Sequence, residues 1–227
     1  MNFQLAQFPL PALILAWFML GGVFFVAGYW LKRQAIPQDN WLAATLIAVF
    51  LWSLHGQLNT GALAGLHYHL LGLTLILLIV GLPAAVFLLT ATAAVYAVLF
   101  QQYQDIAAVS LYVMTVLFPA LLLGRIILAI AQKMLPHHLF VFIFINGFLT
   151  ALLSMFLAGV LTLWLLDMAG AYSPELLWSR SFPVLFLLSW GEAFLTGLVC
   201  AVLIAFAPQL LHYYSDEMYL PRRKSLF

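Results

Sequence analysis

The stretch Gly65-Leu66-His67-Tyr68-His69-Leu70-Leu71-Gly72 runs straight into an apolar segment that ends at Gly81-Leu82-Pro83-Ala84. Two imidazoles therefore stand at the mouth of a hydrophobic helix, in a chain almost devoid of charge. Left unsatisfied beside lipid, such a pair is costly, so a ligand or a partner is expected there.

The rest of the chain fits that setting. Of its 227 residues, 66% are hydrophobic and 7% charged, with a mean hydropathy of +1.11, whereas a water-soluble domain carries about 25% charged residues. The expectation is an all-α, polytopic transmembrane helix bundle forming one domain over residues 1–227, with no nucleic-acid partner. The single cysteine, Cys200, sits in an apolar run, which excludes an intrachain disulfide framework and suits a small buried hydrophobe. Met1-Asn2-Phe3-Gln4 lacks the positive start of a cleaved signal, so Met1 or its neighbour is expected to remain the terminus.

At about 20 apolar residues per crossing, the chain divides into about seven spans. The first covers Phe8 to Leu31 and the second, a short one, Trp41 to Leu54. A third begins near His67 and a fourth near Pro83, with Gly81-Leu82-Pro83 as the break, because proline cannot continue the preceding helix without kinking it. The remaining three cover Ile106 to Ala131, His138 to Asp167 and Phe182 to Leu211, each long enough to imply tilt or extension beyond the bilayer. Placing Met1 outside leaves Lys32, Arg33, Lys133, Arg222, Arg223 and Lys224 in cytoplasmic segments, with Arg125 near the same side, and only Arg180 outside. Positive residues near span ends are held cytoplasmic, so the N-terminus is expected to be extracytoplasmic and the C-terminus cytoplasmic; the membrane itself is expected to be a bacterial inner membrane.

Imidazole is a good ligand for Ni, Co, Cu, Zn and Fe. His67 and His69, two residues apart, face different sides of a regular helix. They meet one ion only if the segment is irregular, or one ring ligates while the other orients it. The rival reading makes both of them interfacial side chains wetted at the headgroups. Met1, through its amine, and His55, with Asn59, are the further ligand candidates on the same side. Glu192, inside Ser189-Trp190-Gly191-Glu192-Ala193-Phe194-Leu195-Thr196-Gly197, is an intramembrane carboxylate, read either as a functional group or as a packing anchor bonded to a neighbouring helix. His137 and His138 read as residues opening a span at the cytoplasmic face. No Gly-x-x-x-x-Gly-Lys-[Ser/Thr] run occurs, so any energised transport borrows an ATPase.

Leu66-His67-Tyr68-His69-Leu70-Leu71-Gly72, the Gly-Leu-Pro-Ala break and Gly191-Glu192-Ala193-Phe194-Leu195-Thr196-Gly197 together resemble the CbiM/NikM-type substrate-binding permeases of energy-coupling-factor cobalt and nickel importers. That family has a His-Leu-x-Gly run before a Gly-Pro-Trp-Ala-like turn, and a Glu-Gly/Ala-x-Leu-Thr run in its last helices. The resemblance implies a seven-helix subunit, not an enzyme, that captures a divalent transition metal from outside. Nickel or cobalt is the implied substrate, with copper or zinc as alternatives, and no cofactor is implied. It also implies a transmembrane coupling protein and cytoplasmic ATPase subunits as partners, within the lipid bilayer. By residue matching, His67 or His69 takes the run's histidine role, and the N-terminal amine contributes. The family's histidine at position two is Asn2 here, so His55 supplies the missing nitrogen, the substrate differs, or import has been lost. The last case leaves a membrane scaffold or accessory subunit on the permease fold. A haem protein, with histidines of different helices as axial ligands, is a weaker third reading.

Overall fold

A computed structural model of the chain describes residues 8–54, 69–100 and 106–220, and within them all regular structure is helical. Inside lipid every backbone N–H and C=O must be paired by the chain itself, and helices do this within one segment. The elements are α1 (Leu10–Leu31), α2 (Gln38–Ser53), α3 (Leu73–Phe100), α4 (Ile106–Met134), α5 (Leu139–Met168), α6 (Glu175–Phe206) and the short α7 (Asp216–Tyr219). Five of them, α1 and α3 to α6, are long and apolar enough to cross a membrane. With 16 residues, α2 reaches about 24 Å, short of a hydrocarbon core of about 30 Å. Helices α4, α5 and α6 have 29, 30 and 32 residues, the excess length expected of them. α6 starts at Glu175 rather than at Phe182. Its first turns, Glu175–Ser181, are widened into π-helix just ahead of Pro183, and Ser181 Oγ donates to the carbonyl of Leu176 five residues back.

Helix α3 is not one rod. Gly81 has φ 78° and ψ 166°, a conformation open to glycine and strained for any residue with a Cβ. The His69 and Tyr96 rings lie 5.5 Å apart, yet a straight helix would separate those positions by about 40 Å. The chain therefore folds back at Gly81, giving a short first leg, 73–80, and a long second leg, 82–100. Pro83 sits in the first turn of the second leg, where its missing N–H breaks no hydrogen bond. The break expected at Gly81-Leu82-Pro83 is present. The first leg, however, begins at Leu73 and not near His67, because residues 69–72 are non-helical.

All eight residues of the first leg are buried. Against it lies one face of α2, formed by Asn40, Ala44, Ala48 and Trp52 at helical spacing, all buried. Lipid tails are as apolar as leucine, so close approach of small side chains holds membrane helices together. Ala44 and Ala48 permit that approach, and the polar residues at either end of the row fasten it. Trp52 Nε1 donates to the Leu71 carbonyl at 3.2 Å, and Asn40 Nδ2 donates to the Ile79 carbonyl at 2.9 Å.

The two ends of the bundle differ in charge. At the Gly81 end lie Lys32 just after α1, Lys133 in the last turn of α4, and Arg125, whose guanidinium stands 5.3 Å over the Tyr213 ring. Arg180 lies at the opposite end, paired with Glu175 at 3.3 Å.

Candidate metal centre

The non-helical residues 69–72 dip into the bundle, and His69 is only 1% exposed. Its ring packs 4.8 Å from Trp52 of α2 and 5.5 Å from Tyr96 of the second leg, centroid to centroid. Trp52 and Tyr96 meet edge to face at 5.6 Å, so the three rings form one aromatic cluster. His69 Nδ1 donates to the Leu70 carbonyl at 3.1 Å. A carbonyl only accepts, so this bond forms in the tautomer that carries its proton on Nδ1 and its lone pair on Nε2. A backbone carbonyl fixing one ring nitrogen is the device by which metal-binding histidines are usually oriented. The reading of His69 as a wetted interfacial side chain does not hold, since the ring is sealed from solvent.

The run is pinned at its C-terminal side. Gly72 has φ 68°, a conformation that favours glycine, and a Cβ there would stand 2.7 Å from Leu51 Cδ1, so that methyl would have to shift. Glu192 of α6, 1% exposed, accepts from the Leu71 N–H at 2.9 Å through Oε2. It stands where the first leg begins, at the positive end of a helix whose leading N–H groups have no intrahelical partner. Its Oε1 is buried with no hydrogen-bond partner among the described residues. The carboxylate is thus bonded to a neighbouring element, as one of its two sequence readings anticipated.

Met1, His55, Asn59 and His67 lie outside the described residues. Among the described residues no group of three or more His, Cys, Asp or Glu side chains is arranged to hold a metal ion. His137 and His138 sit together at the Gly81 end, away from His69. His138 Nδ1 accepts from the Phe140 N–H at 3.2 Å, capping the start of α5, and His137 packs its edge on Tyr219. Cys200 is fully buried between helices, as expected of a small hydrophobe.

Trp52 and Tyr96 are neighbours of the histidine run that the sequence reading does not name. The row Asn40, Ala44, Ala48, Trp52 carries a signal for the first of them, since its period of four marks one face of α2. Nothing local marks Tyr96, which reaches His69 only through the reversal at Gly81.

No curated protein and no solved structure matches the chain. The family model for the cobalt uptake substrate-specific transmembrane region, CbiM, matches residues 6–210. That stretch contains α1 to α6 and the entire histidine run, so the resemblance drawn from three short motifs extends over most of the sequence. The chain belongs to the CbiM family of membrane-embedded cobalt and nickel uptake components.

Proposed function

We propose that this chain captures a divalent transition-metal ion, of the nickel or cobalt class, on the extracytoplasmic side of the membrane, with His69 Nε2 as a ligand. The observation that carries this reading is the fixed, buried imidazole: its Nδ1–H is tied to Leu70, its ring is wedged between Trp52 and Tyr96, and its backbone is anchored to Glu192. His69-Leu70-Leu71-Gly72 is the part of the run that reads His-Leu-x-Gly, and the φ of 68° at Gly72 gives that glycine a physical role. His69 is therefore preferred over His67 for the run's ligand, and His67, His55 and the Met1 amine are the proposed further donors.

The chemistry is coordination and release, with no bond broken in the substrate and no catalytic residue. The five long helices cross the bilayer, and α2 and the eight-residue first leg of α3, both shorter than a full crossing, make up the expected count of about seven. The Gly81 end, rich in Lys and Arg, faces the cytoplasm. Uptake is driven by a coupling protein and ATPases at that face.

Calorimetric titration of the purified protein with Ni, Co, Cu and Zn tests the site. The expected result is saturable binding of nickel or cobalt that disappears in the His67→Ala, His69→Ala double variant. Unchanged binding in that variant removes the assignment. A second reading, a scaffold that kept the fold, is favoured by Asn2 in place of the family's histidine, since an asparagine amide is a poor ligand beside imidazole. Purification from native membrane separates the two, because an importer co-isolates an ATPase and a scaffold does not.

A further inference from the structure

The first leg of α3 has its two ends closed by different parts of the chain. A helix of eight residues leaves its leading N–H groups and trailing C=O groups without intrahelical partners, and in lipid each unmet group costs several kcal/mol. At the His69 end, Glu192 accepts from the N–H of Leu71, two residues ahead of the leg, and so ties down the chain that enters it. At the Gly81 end, the trailing carbonyls are met from two directions. Asn40 Nδ2 donates to Ile79 at 2.9 Å and also to Leu210 at 3.0 Å, and the His212 N–H donates to Leu78 at 2.8 Å.

Leu210 and His212 belong to the segment that follows α6, beyond the long helices. Polar contacts hold it in place. Tyr213 OH accepts from the Leu82 N–H at 3.4 Å, Gln132 Nε2 donates to the Tyr213 carbonyl at 3.4 Å, and Arg125 covers the Tyr213 ring. Asn40 is the joint, for one amide group bridges the leg and the segment. Withdrawing the segment would strip Leu78 of its partner beside Gly81, the one residue of the hairpin with non-helical backbone. Without that partner the leg loses one of its two fastenings at this end and gains freedom to shift. A helix of eight residues moves as a unit, and its other end, Leu73, is four residues from His69.

We infer that this inner closure is a release latch: Asn40 and the segment 207–213 hold the first leg in the position that shapes the His69 end, and disengaging them loosens the ion held there. Asn40 acts as a positioning residue, through the leg and not by contact with the ion. The release step rests on the metal-capture reading, whereas the mechanical link between the two ends does not.

Both parts are testable on the full-length protein in lipid nanodiscs with Asn40→Ala. Hydrogen exchange without metal reads the link. The expected result is amide exchange faster by about tenfold, the scale of one lost buried hydrogen bond, at residues 71–76 as well as at 78–82. Faster exchange confined to 78–82, or none, overturns the latch. Cobalt(II) dissociation into excess chelator reads the release, with an off-rate raised about tenfold expected in the variant and an unchanged off-rate contradicting it. If the wild-type protein binds no cobalt, the capture reading fails while the exchange measurement still decides the link. Should Asn40→Ala fail to fold, Tyr213→Phe, which removes only the hydroxyl that accepts from Leu82, is read by the same two criteria.

Discussion

The two ends of the short leg 73–80 are both polar sites sunk among apolar helices, yet they are made of different chemistry. At the His69 end stand an imidazole, a carboxylate and two aromatic rings, with His69 and Glu192 both 1% exposed. At the Gly81 end the contacts are neutral, joining amides to carbonyls, and half of the partners come from the segment after α6. Side chains with lone pairs hold an ion, whereas backbone hydrogen bonds to a separate segment can be made and unmade. On the proposed reading, capture belongs to the first of these ends and control to the second.

The largest test of that contrast is Glu192→Ala. It leaves the Leu71 N–H unpaired next to a new cavity, and should destabilise the folded protein by about 2–3 kcal/mol, seen as a lower thermal midpoint in detergent. Metal affinity should fall by about 10–100-fold, as when a residue that orients a ligand is lost. Glu192→Gln keeps an acceptor for that N–H and should recover most of the stability. Equal losses in the two variants would mean that the charge, not the hydrogen bond, is what the His69 end requires.

Gly81→Ala comes next. It forces a side chain to φ 78° and puts a Cβ 3.1 Å from His212 Cδ2, at a cost of about 1–3 kcal/mol. The same midpoint measurement checks it, and a variant as stable as wild type would show that the hairpin tip tolerates a different turn.

A smaller effect is expected from pH. Burial first, and then the Arg125 charge, hold the His212 imidazole below its ordinary value of 6.5. The folded form therefore resists a proton that the unfolded chain accepts. Stability should be level above that value and fall as pH drops from about 6.5 through the lower folded value. His212→Gln should flatten that part of the profile, and an unchanged slope would place its origin elsewhere. Smallest of all is the Arg180–Glu175 pair, whose side chains are 61% and 74% exposed. Arg180→Ala should change the midpoint by no more than about 0.5 kcal/mol equivalent, which sets the scale for a contact outside both ends.

Much of this architecture was legible in the chain itself, because lipid imposes a simple code. Long apolar runs, the Gly81-Leu82-Pro83 break and the one-sided Lys and Arg residues each report a constraint local to a few neighbours. What stayed hidden was non-local. Tyr96 is brought to His69 by the return of the hairpin, and Asn40 meets Leu210 across 170 positions. Residues 69–72 were misjudged for a related reason. Their apolar character fits a helix, but the positive φ at Gly72 and the pull of Glu192 on the Leu71 N–H keep them out of one. Glu192 itself was conspicuous as a carboxylate in a span, while its partner, a backbone N–H, leaves no mark in a sequence.

The central claim is that the fixed ring of His69 ligates the ion. Cobalt(II) titration followed by visible absorption, on the wild-type protein and on His69→Ala alone, tests it most directly. The account predicts saturable ligand-field bands for the wild type and an affinity loss of more than about 100-fold in the variant, beyond that of an orienting neighbour. Bands of the same intensity and midpoint in both proteins would contradict it.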